Sequence, residues 1–430
     1  MGTEVIVMQP QAAAPQDILR RKEAYYRGNF LSLMLEAFFF SFALTMFSTE
    51  NVLPVYVASL SDRAILLAMI SALYYGISYS ATVLSCVIGV GAKSPKWASV
   101  GICFLQRIGF LLIFLSTYLV AEEPGPALVM FFVSLALYSA SAGMSNPLFA
   151  QMVGTSIHRN VGTFYGAYNM MGAVSGVLAS LVLTQCLIRL AFPVSFRLVF
   201  LLGLLSALIA TGVVSAGVRE VIDDRVPERL RLRDVFPIGL QILREDRRFC
   251  SFVTIKVLVG AAEFAIPYYI ITASSLPGAP EGFVGRMATV YLLAKVAGSL
   301  ILGRVADRYG PMAVMGCACL CGAAAAVLAA LRVSWQLSFV MYALLAVAVV
   351  GVVMSNSVAC VTYSQNGRTP IYMATAGLLC APLYVASSFI GAALASRFSL
   401  TALFLLAAGV YALGVVLTFR LGRGNETERG

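Results

Sequence analysis

Glu50-Asn51-Val52-Leu53-Pro54-Val55-Tyr56 returns later in the chain as Glu263-Phe264-Ala265-Ile266-Pro267-Tyr268-Tyr269, with the acid, the proline and the tyrosine two places beyond it in the same order. Working outward, Met144-Ser145-Asn146 returns as Met354-Ser355-Asn356, and the polar break at His158-Arg159-Asn160 returns as Gln365-Asn366-Gly367-Arg368. One unit is written twice. Each copy consists almost wholly of long apolar segments, so the repeat predicts a membrane protein of two similar helical halves.

Composition agrees. Hydrophobic residues make up 60% of the chain and charged residues 12%, with a mean hydropathy of +0.87; soluble domains hold about 45–50% apolar and about 25% charged residues. Apolar runs of spanning length are expected at 30 to 57, 64 to 90, 97 to 121, 126 to 152, 162 to 187, 195 to 218, 249 to 275, 284 to 306, 312 to 333, 335 to 362, 371 to 395 and 398 to 420, twelve spans in all. No stretch alternates with the period of two that a barrel strand needs, so the spans are helical. The expected organisation is an N-terminal cytoplasmic arm at 1–28, a first six-helix half at 29–218, a linker at 219–248, a second half at 249–420 and a cytoplasmic tail at 421–430.

A cytoplasmic N-terminus places Arg20, Arg21, Lys22, Arg27, Lys93, Lys96, Arg159, Arg304, Arg308 and the arginine-rich stretch from Arg219 to Arg248 on the inner side. This is the bias of the positive-inside rule. The net charge of +10 is therefore topological. It points to anionic lipid headgroups as partners, not to nucleic acid. A multi-pass plasma-membrane protein with both termini cytoplasmic is expected. Gln16 to Asn29 mixes Ile18, Leu19, Tyr25 and Tyr26 with cations and suits the membrane surface. Charges interleaved from Arg219 to Arg248 suit short amphipathic helices in the linker.

The most specific stretch is Gly298-Ser299-Leu300-Ile301-Leu302-Gly303-Arg304-Val305-Ala306-Asp307-Arg308-Tyr309-Gly310. Its G-x-x-x-D-R-x-G core resembles the signature loop of the major facilitator superfamily, and with the repeat, the six plus six spans and the basic linker the resemblance covers essentially the whole chain. It implies that Gly303, Asp307, Arg308 and Gly310 act as a latch on the cytoplasmic gate; the alternative is a basic turn that only fixes topology. The glycines are expected to bring spans eight and eleven together. Two departures stand out. The matching loop of the first half, Gly89-Val90-Gly91-Ala92-Lys93-Ser94-Pro95-Lys96, lacks the acid. Span five carries Gly162, Gly166, Gly172 and Gly176 without the glycine-proline pair typical of the family's drug antiporters.

Charge near mid-bilayer costs at least about 2.5–3.5 kcal/mol, so each such residue needs a partner or a task. Glu50, Arg107, Lys256, Glu263 and Lys295 qualify. Glu263 and Lys295 stand at similar depth on antiparallel spans and are expected to form an ion pair at a cavity wall, either exchanging a proton or serving as a fixed salt bridge. Lys256, Gly260, Glu263 and Pro267 share one helical face, with a kink expected at Pro267; Lys256 can alternatively snorkel to the surface. Glu50, the repeat-mate of Glu263, suits an outer gate or an ordinary interfacial position. Glu36 is read mainly as structural. The resemblance makes span three an outer support, so Arg107 is expected to pair internally. Spans four and ten face the pathway in that family, which makes Asn146 and Asn356 cavity candidates. Tyr168, Asn169, Tyr372 and Tyr384 add hydrogen-bonding surface on spans five and eleven.

The nine cysteines are scattered without metal-ligand or disulfide spacing, and no cofactor or metal is expected. The single histidine, His158, falls in a loop, leaving no cluster for a membrane-embedded enzyme. The expectation is a monomeric secondary transporter moving a small solute by alternating access, coupled to protons. The alternatives are an efflux antiporter for amphipathic compounds and a non-transporting receptor or scaffold on the same fold.

Overall fold

The computed structural model describes residues 16–49, 52–61, 64–120, 124–221, 230–274, 276, 283–332, 334–364, 368–397 and 399–426. Every regular element among them is helical: α1 Gln16–Met46, α2 Val52–Ala58, α3 Ala64–Val90, α4 Pro95–Leu119, α5 Pro124–Ser156, α6 Val161–Arg189, α7 Val194–Gly217, α8 Leu232–Glu245, α9 Arg247–Gly260, a 3₁₀ turn Ala261–Ala265, α10 Ile266–Ser274, α11 Phe283–Ala330, α12 Leu337–Tyr363, α13 Thr369–Arg397 and α14 Leu400–Glu426. Eight described helices are long and apolar enough to cross a membrane, namely α1, α4, α5, α6, α7, α11, α12 and α14, and α3 and α13 hold shorter apolar stretches.

Two elements explain how this reading meets the twelve expected spans. The seventh is divided into α9, the 3₁₀ turn and α10. Proline at 267 has no N–H to donate and its ring clashes with the carbonyl four residues back, so the helix tightens just ahead of it. The eighth and ninth form one long element, α11, broken at Gly310, whose φ of 82° and ψ of 174° are closed to other residues. Leu302 and Ala318, on opposite sides of that break, both touch Gly351 of α12. Only a chain that folds back on itself does this.

We call the face on which α1 begins proximal and the opposite one distal. On the proximal face lie the α3–α4 and α5–α6 turns, the break in α11, and the ends of α7 and α12. In the first part of the chain α1 packs on α6 and α7, α4 on α5 and α7, and α3 on α5; in the second, α11 packs on α12 and α14, and α14 on α9. One core groups Phe47, Tyr56, Phe110, Phe131 and Phe200. A second groups Phe249, Tyr269, Met315, Phe404 and Tyr411. A third joins the two parts of the chain, setting Met152, Phe164 and Tyr165 against Leu302, Val350, Met354 and Val358.

The N-terminal stretch departs from its expected course. Residues from Gln16 continue into the first span as one helix, because Gly28 alone does not stop a helix whose other side chains favour it. Its polar part docks on the α5–α6 turn, where Glu23 meets Arg159 at 2.8 Å and His158 at 2.9 Å, and the Tyr26 hydroxyl donates to the Arg159 carbonyl. Within 219–248, α8 packs its Val235, Gly239 and Ile242 side across α3 and α13.

Candidate functional site

The two parts of the chain meet most closely on the proximal face. There α6 starts at Val161 after Asn160, whose φ of 51° is left-handed and whose side chain caps nothing. The orphan amides of the first turn are taken from across the seam: Gly162 N donates to Asp307 Oδ1 at 2.6 Å and Thr163 N to Asp307 Oδ2 at 2.7 Å. A carboxylate at a helix N-terminus satisfies both the unpaired donors and the helix dipole. Close approach is required for this. A Cβ on Gly162 would collide with Ala306 and the Gly303 carbonyl, one on Gly166 with the Ser299 carbonyl, and one on Gly303 would lie 2.8 Å from the Gly162 carbonyl. Of the glycines of the expected eighth span, Gly303 therefore serves contact with the fifth and Gly298 faces Val347 of α12, not the eleventh as the sequence led us to expect; Gly162 and Gly166 supply the small surface complementary to Gly303. Arg308 is exposed, with its guanidinium 5.3 Å from the Tyr309 ring. Gly310 makes the turn.

The acid missing from the α3–α4 loop is replaced from another segment. Glu220, just beyond α7, accepts from Ser94 Oγ at 2.5 Å, from Lys96 N at 2.7 Å and from Thr155 Oγ1 at 3.3 Å, while Lys96 Nζ donates to the Val218 carbonyl at 2.8 Å. One carboxylate so ties α4, α5 and the end of α7. Burial pushes the Glu220 carboxyl above the ordinary carboxylate value, against the hydrogen bonds that pull it down.

Two buried charged groups lie deeper in the first part of the chain. Arg107 on α4 is 4% exposed and Glu36 on α1 is 6% exposed. Arg107 Nε donates to the Ala207 carbonyl at 3.2 Å, its Nη1 bonds Gln106 Oε1, and its guanidinium sits 4.9 Å from the Phe40 ring. Glu36 accepts from the Tyr168 hydroxyl at 3.0 Å. Both charges line one cavity of about 10 Å³ with Ser99, Cys103 and Thr211, room for a single water. Glu36 and Arg107 attract each other through this gap. Sequence reasoning took Tyr168 for a cavity surface and missed that it serves Glu36.

In the second part, Lys256 on α9 is 8% exposed. Its Nζ donates to Asn356 Oδ1 on α12 at 2.7 Å, so it stays inside rather than reaching for the surface. Cys360 Sγ lies 3.9 Å from the same oxygen. The remaining candidates are dispersed. Tyr372 is buried with its hydroxyl on Asp246 at 3.3 Å, the residue that caps α9 through Phe249 N. Asn146 is exposed on α5, and Asn169 and Lys295 are half-buried on α6 and α11. Glu50 lies outside the described residues, as do the side chains of Glu263 and Tyr384.

This arrangement is that of a helical membrane protein whose two bundles are held together at one face by a glycine seam and a carboxylate cap. More particularly, the chain has the major facilitator fold. It is similar to the solved structure of the E. coli fucose:proton symporter FucP at a TM-score of 0.69 and 16% identity, covering 92% of this chain and 99% of that one. The human organic anion transporter MFSD10 matches at a TM-score of 0.67 and 14% identity over 92% and 99% of the two chains. A bacterial homologue of the iron transporter ferroportin, in its outward-facing state, matches at 0.66 and 15% over the same shares. No protein-family model and no curated protein matches the sequence.

Proposed function

We propose that the chain is a secondary transporter that moves a small solute by alternating access, the halves rocking about a cavity between them, with proton movement coupled through Glu36. The observation that carries this reading is the seam: Asp307 caps α6 from the opposite half over backbones brought together by Gly162, Gly166 and Gly303. Such a contact is tight enough to close one face. It is also small enough to open, since its polar part is two hydrogen bonds. The fold neighbours, a fucose:proton symporter and an organic anion transporter by their names, support the same reading.

Coupling needs a carboxyl whose proton occupancy changes with conformation. Glu36 fits, being held by Tyr168 of α6 and facing Arg107 of α4 across a water-sized gap. A shift of α6 against α1 within the first half as the seam opens would take Tyr168 away, and the carboxyl would lose a hydrogen bond that favours its charged form. Glu263 and Lys295 are a second coupling pair to be tested beside it.

The test is a proteoliposome assay that reads internal pH as candidate solutes are added. Solute-dependent proton movement is expected, and its sign separates symport from antiport. Glu36→Gln, which keeps shape and loses the titrating proton, should leave solute binding intact and abolish the pH response. An unchanged response in Glu36→Gln refutes its coupling role, and a flat response to a broad solute library in the unmodified protein favours a scaffold.

A further inference from the structure

The two halves meet again away from the glycine seam, where Cys86 Sγ on α3 donates to the Pro370 carbonyl on α13 at 3.5 Å and a Cβ on Gly89 would lie 2.7 Å from Pro370 Cγ. Packed on both of these helices is α8. Its Gly239 faces Thr375, whose Oγ1 a Cβ there would meet at 2.6 Å, and Thr375 is six residues past the start of α13, about 9 Å along its axis. The helix therefore sits at the proximal end of α13. With 14 residues it is about 21 Å long, too short to cross a hydrocarbon core of about 30 Å.

Four sectors follow one another round α8. Each residue advances a helix by about 100°, which sets the buried side of Val235, Gly239 and Ile242 next to Leu232, Phe236 and Leu240, which are 51%, 64% and 39% exposed. An apolar side this open marks an interaction surface. Beyond it come the exposed Arg233 and Arg244, and opposite Phe236 lie Asp234, Gln241 and Glu245. From Arg231 to Arg248 five arginines stand against three acids. Of the acids, Asp246 is bonded to Phe249 N and the Tyr372 hydroxyl, Glu245 accepts from Gln241 Nε2 at 2.8 Å, and Asp234 makes a loose 3.6 Å contact with Arg233. The sectors thus run in the order in which a helix lying in a bilayer surface meets its own protein, acyl chains, headgroups and water.

We propose that the Leu232, Phe236 and Leu240 side of α8, with Arg233 and Arg244 beside it, docks into the anionic lipid leaflet that borders the proximal face. The occupant is lipid and not a second protein because α8 is fixed near the proximal end of an apolar helix, where hydrocarbon gives way to headgroups, and its cations adjoin the apolar side while its acids face away from it. Docking holds α8 against α3 of one half and α13 of the other. An acidic leaflet therefore favours the proximally closed arrangement, a consequence that rests on the alternating-access reading.

The experiment uses the full chain with its nine native cysteines replaced and a spin label at Leu240→Cys or, as the water-facing control, at Gln241→Cys. The protein is reconstituted in vesicles of phosphatidylcholine alone or mixed equally with phosphatidylglycerol, and collisions of the label with oxygen, which concentrates in hydrocarbon, are compared with those of a water-soluble nickel complex. Oxygen should dominate at position 240 and nickel at 241. The docked-to-free ratio at 240 should rise at least about tenfold in the acidic vesicles, and Arg233→Gln with Arg244→Gln should remove that rise, each arginine near an acidic surface accounting for about fivefold. Nickel access at 240 equal to that at 241, oxygen access indifferent to phosphatidylglycerol, or shielding from both probes, which would mean that protein covers this side, overturns the proposal. If the cysteine-free chain fails to fold, hydrogen exchange over Leu232–Glu245 of the unmodified chain decides, slower exchange in acidic vesicles being expected and equal exchange contradicting it. Labels at Trp97→Cys and Tyr309→Cys in the same vesicles should shift toward their shorter distance with phosphatidylglycerol. Docking without that shift keeps the lipid surface and removes its link to the gate, whereas a proximal distance that no condition changes counts against alternating access itself.

Discussion

At the scale of single residues, carboxylates do most of the organising, and each takes the donors that a helix end cannot satisfy. Asp307 holds two amides of α6. Asp307→Asn keeps one acceptor and loses the charge, at a cost of about 1–2 kcal/mol to the capped state. Hydrogen exchange by mass spectrometry should therefore show faster exchange in the first turn of α6 and none in its last turn; identical protection would contradict the cap. Glu220 predicts a pH dependence. Its pKa is raised above the ordinary 4.5, so the stability linked to it is full below that value and is lost as pH rises through the folded pKa. The melting temperature should fall over this window, and Glu220→Gln should flatten that part of the curve; a slope unchanged in the variant would assign the effect elsewhere. Little of this was legible in the sequence. Arg107 was visible as a mid-span cation, but its counter-charge Glu36 sat near a span boundary that could not be placed to within a turn. Lys256 and Asn356 were each visible, yet their meeting depends on how α9 and α12 are rotated, which apolar composition does not encode.

At the scale of elements, the long apolar helices were readable because hydrocarbon leaves the backbone no other choice. Their breaks were readable where a residue forces them, as ahead of Pro267 and at Gly310. What composition could not supply was the partner of each helix. Glycines on the eighth expected span announced a close approach, and the complementary Gly162 and Gly166 on span five were noticed, but only the structure put them together. Gly166→Val should prevent the proximal seam from closing, because its side chain meets the Ser299 carbonyl. Rapid exchange in the α6 first turn at preserved global melting is the expected result, whereas wild-type protection would show that the seam tolerates bulk. At the turn of α11, Gly310→Ala places a Cβ where only glycine is at ease and should cost about 1–3 kcal/mol, seen as a lower melting temperature with α11 still helical.

At the scale of the whole molecule, one apolar core lies within the first part of the chain, a second is drawn mostly from the second part with Cys86 of α3 added, and a third joins the two parts at the proximal face. The internal repeat made this duplication legible from the sequence, and the signature loop pointed to the fold that the structure has. The account turns on whether that joining core and its carboxylate cap open as one body moves against the other. Double electron-electron resonance tests this directly. With the nine native cysteines replaced, spin labels go at the exposed Trp97 and Tyr309 on the proximal face and, in a second sample, at the exposed Ile188 and Leu331 on the distal face. The account predicts two distance populations for each pair, shifting in opposite senses when pH is changed and shifting toward the proximally open state in Asp307→Asn. A single unchanging distance at both faces, in the variant as in the unmodified protein, would contradict it.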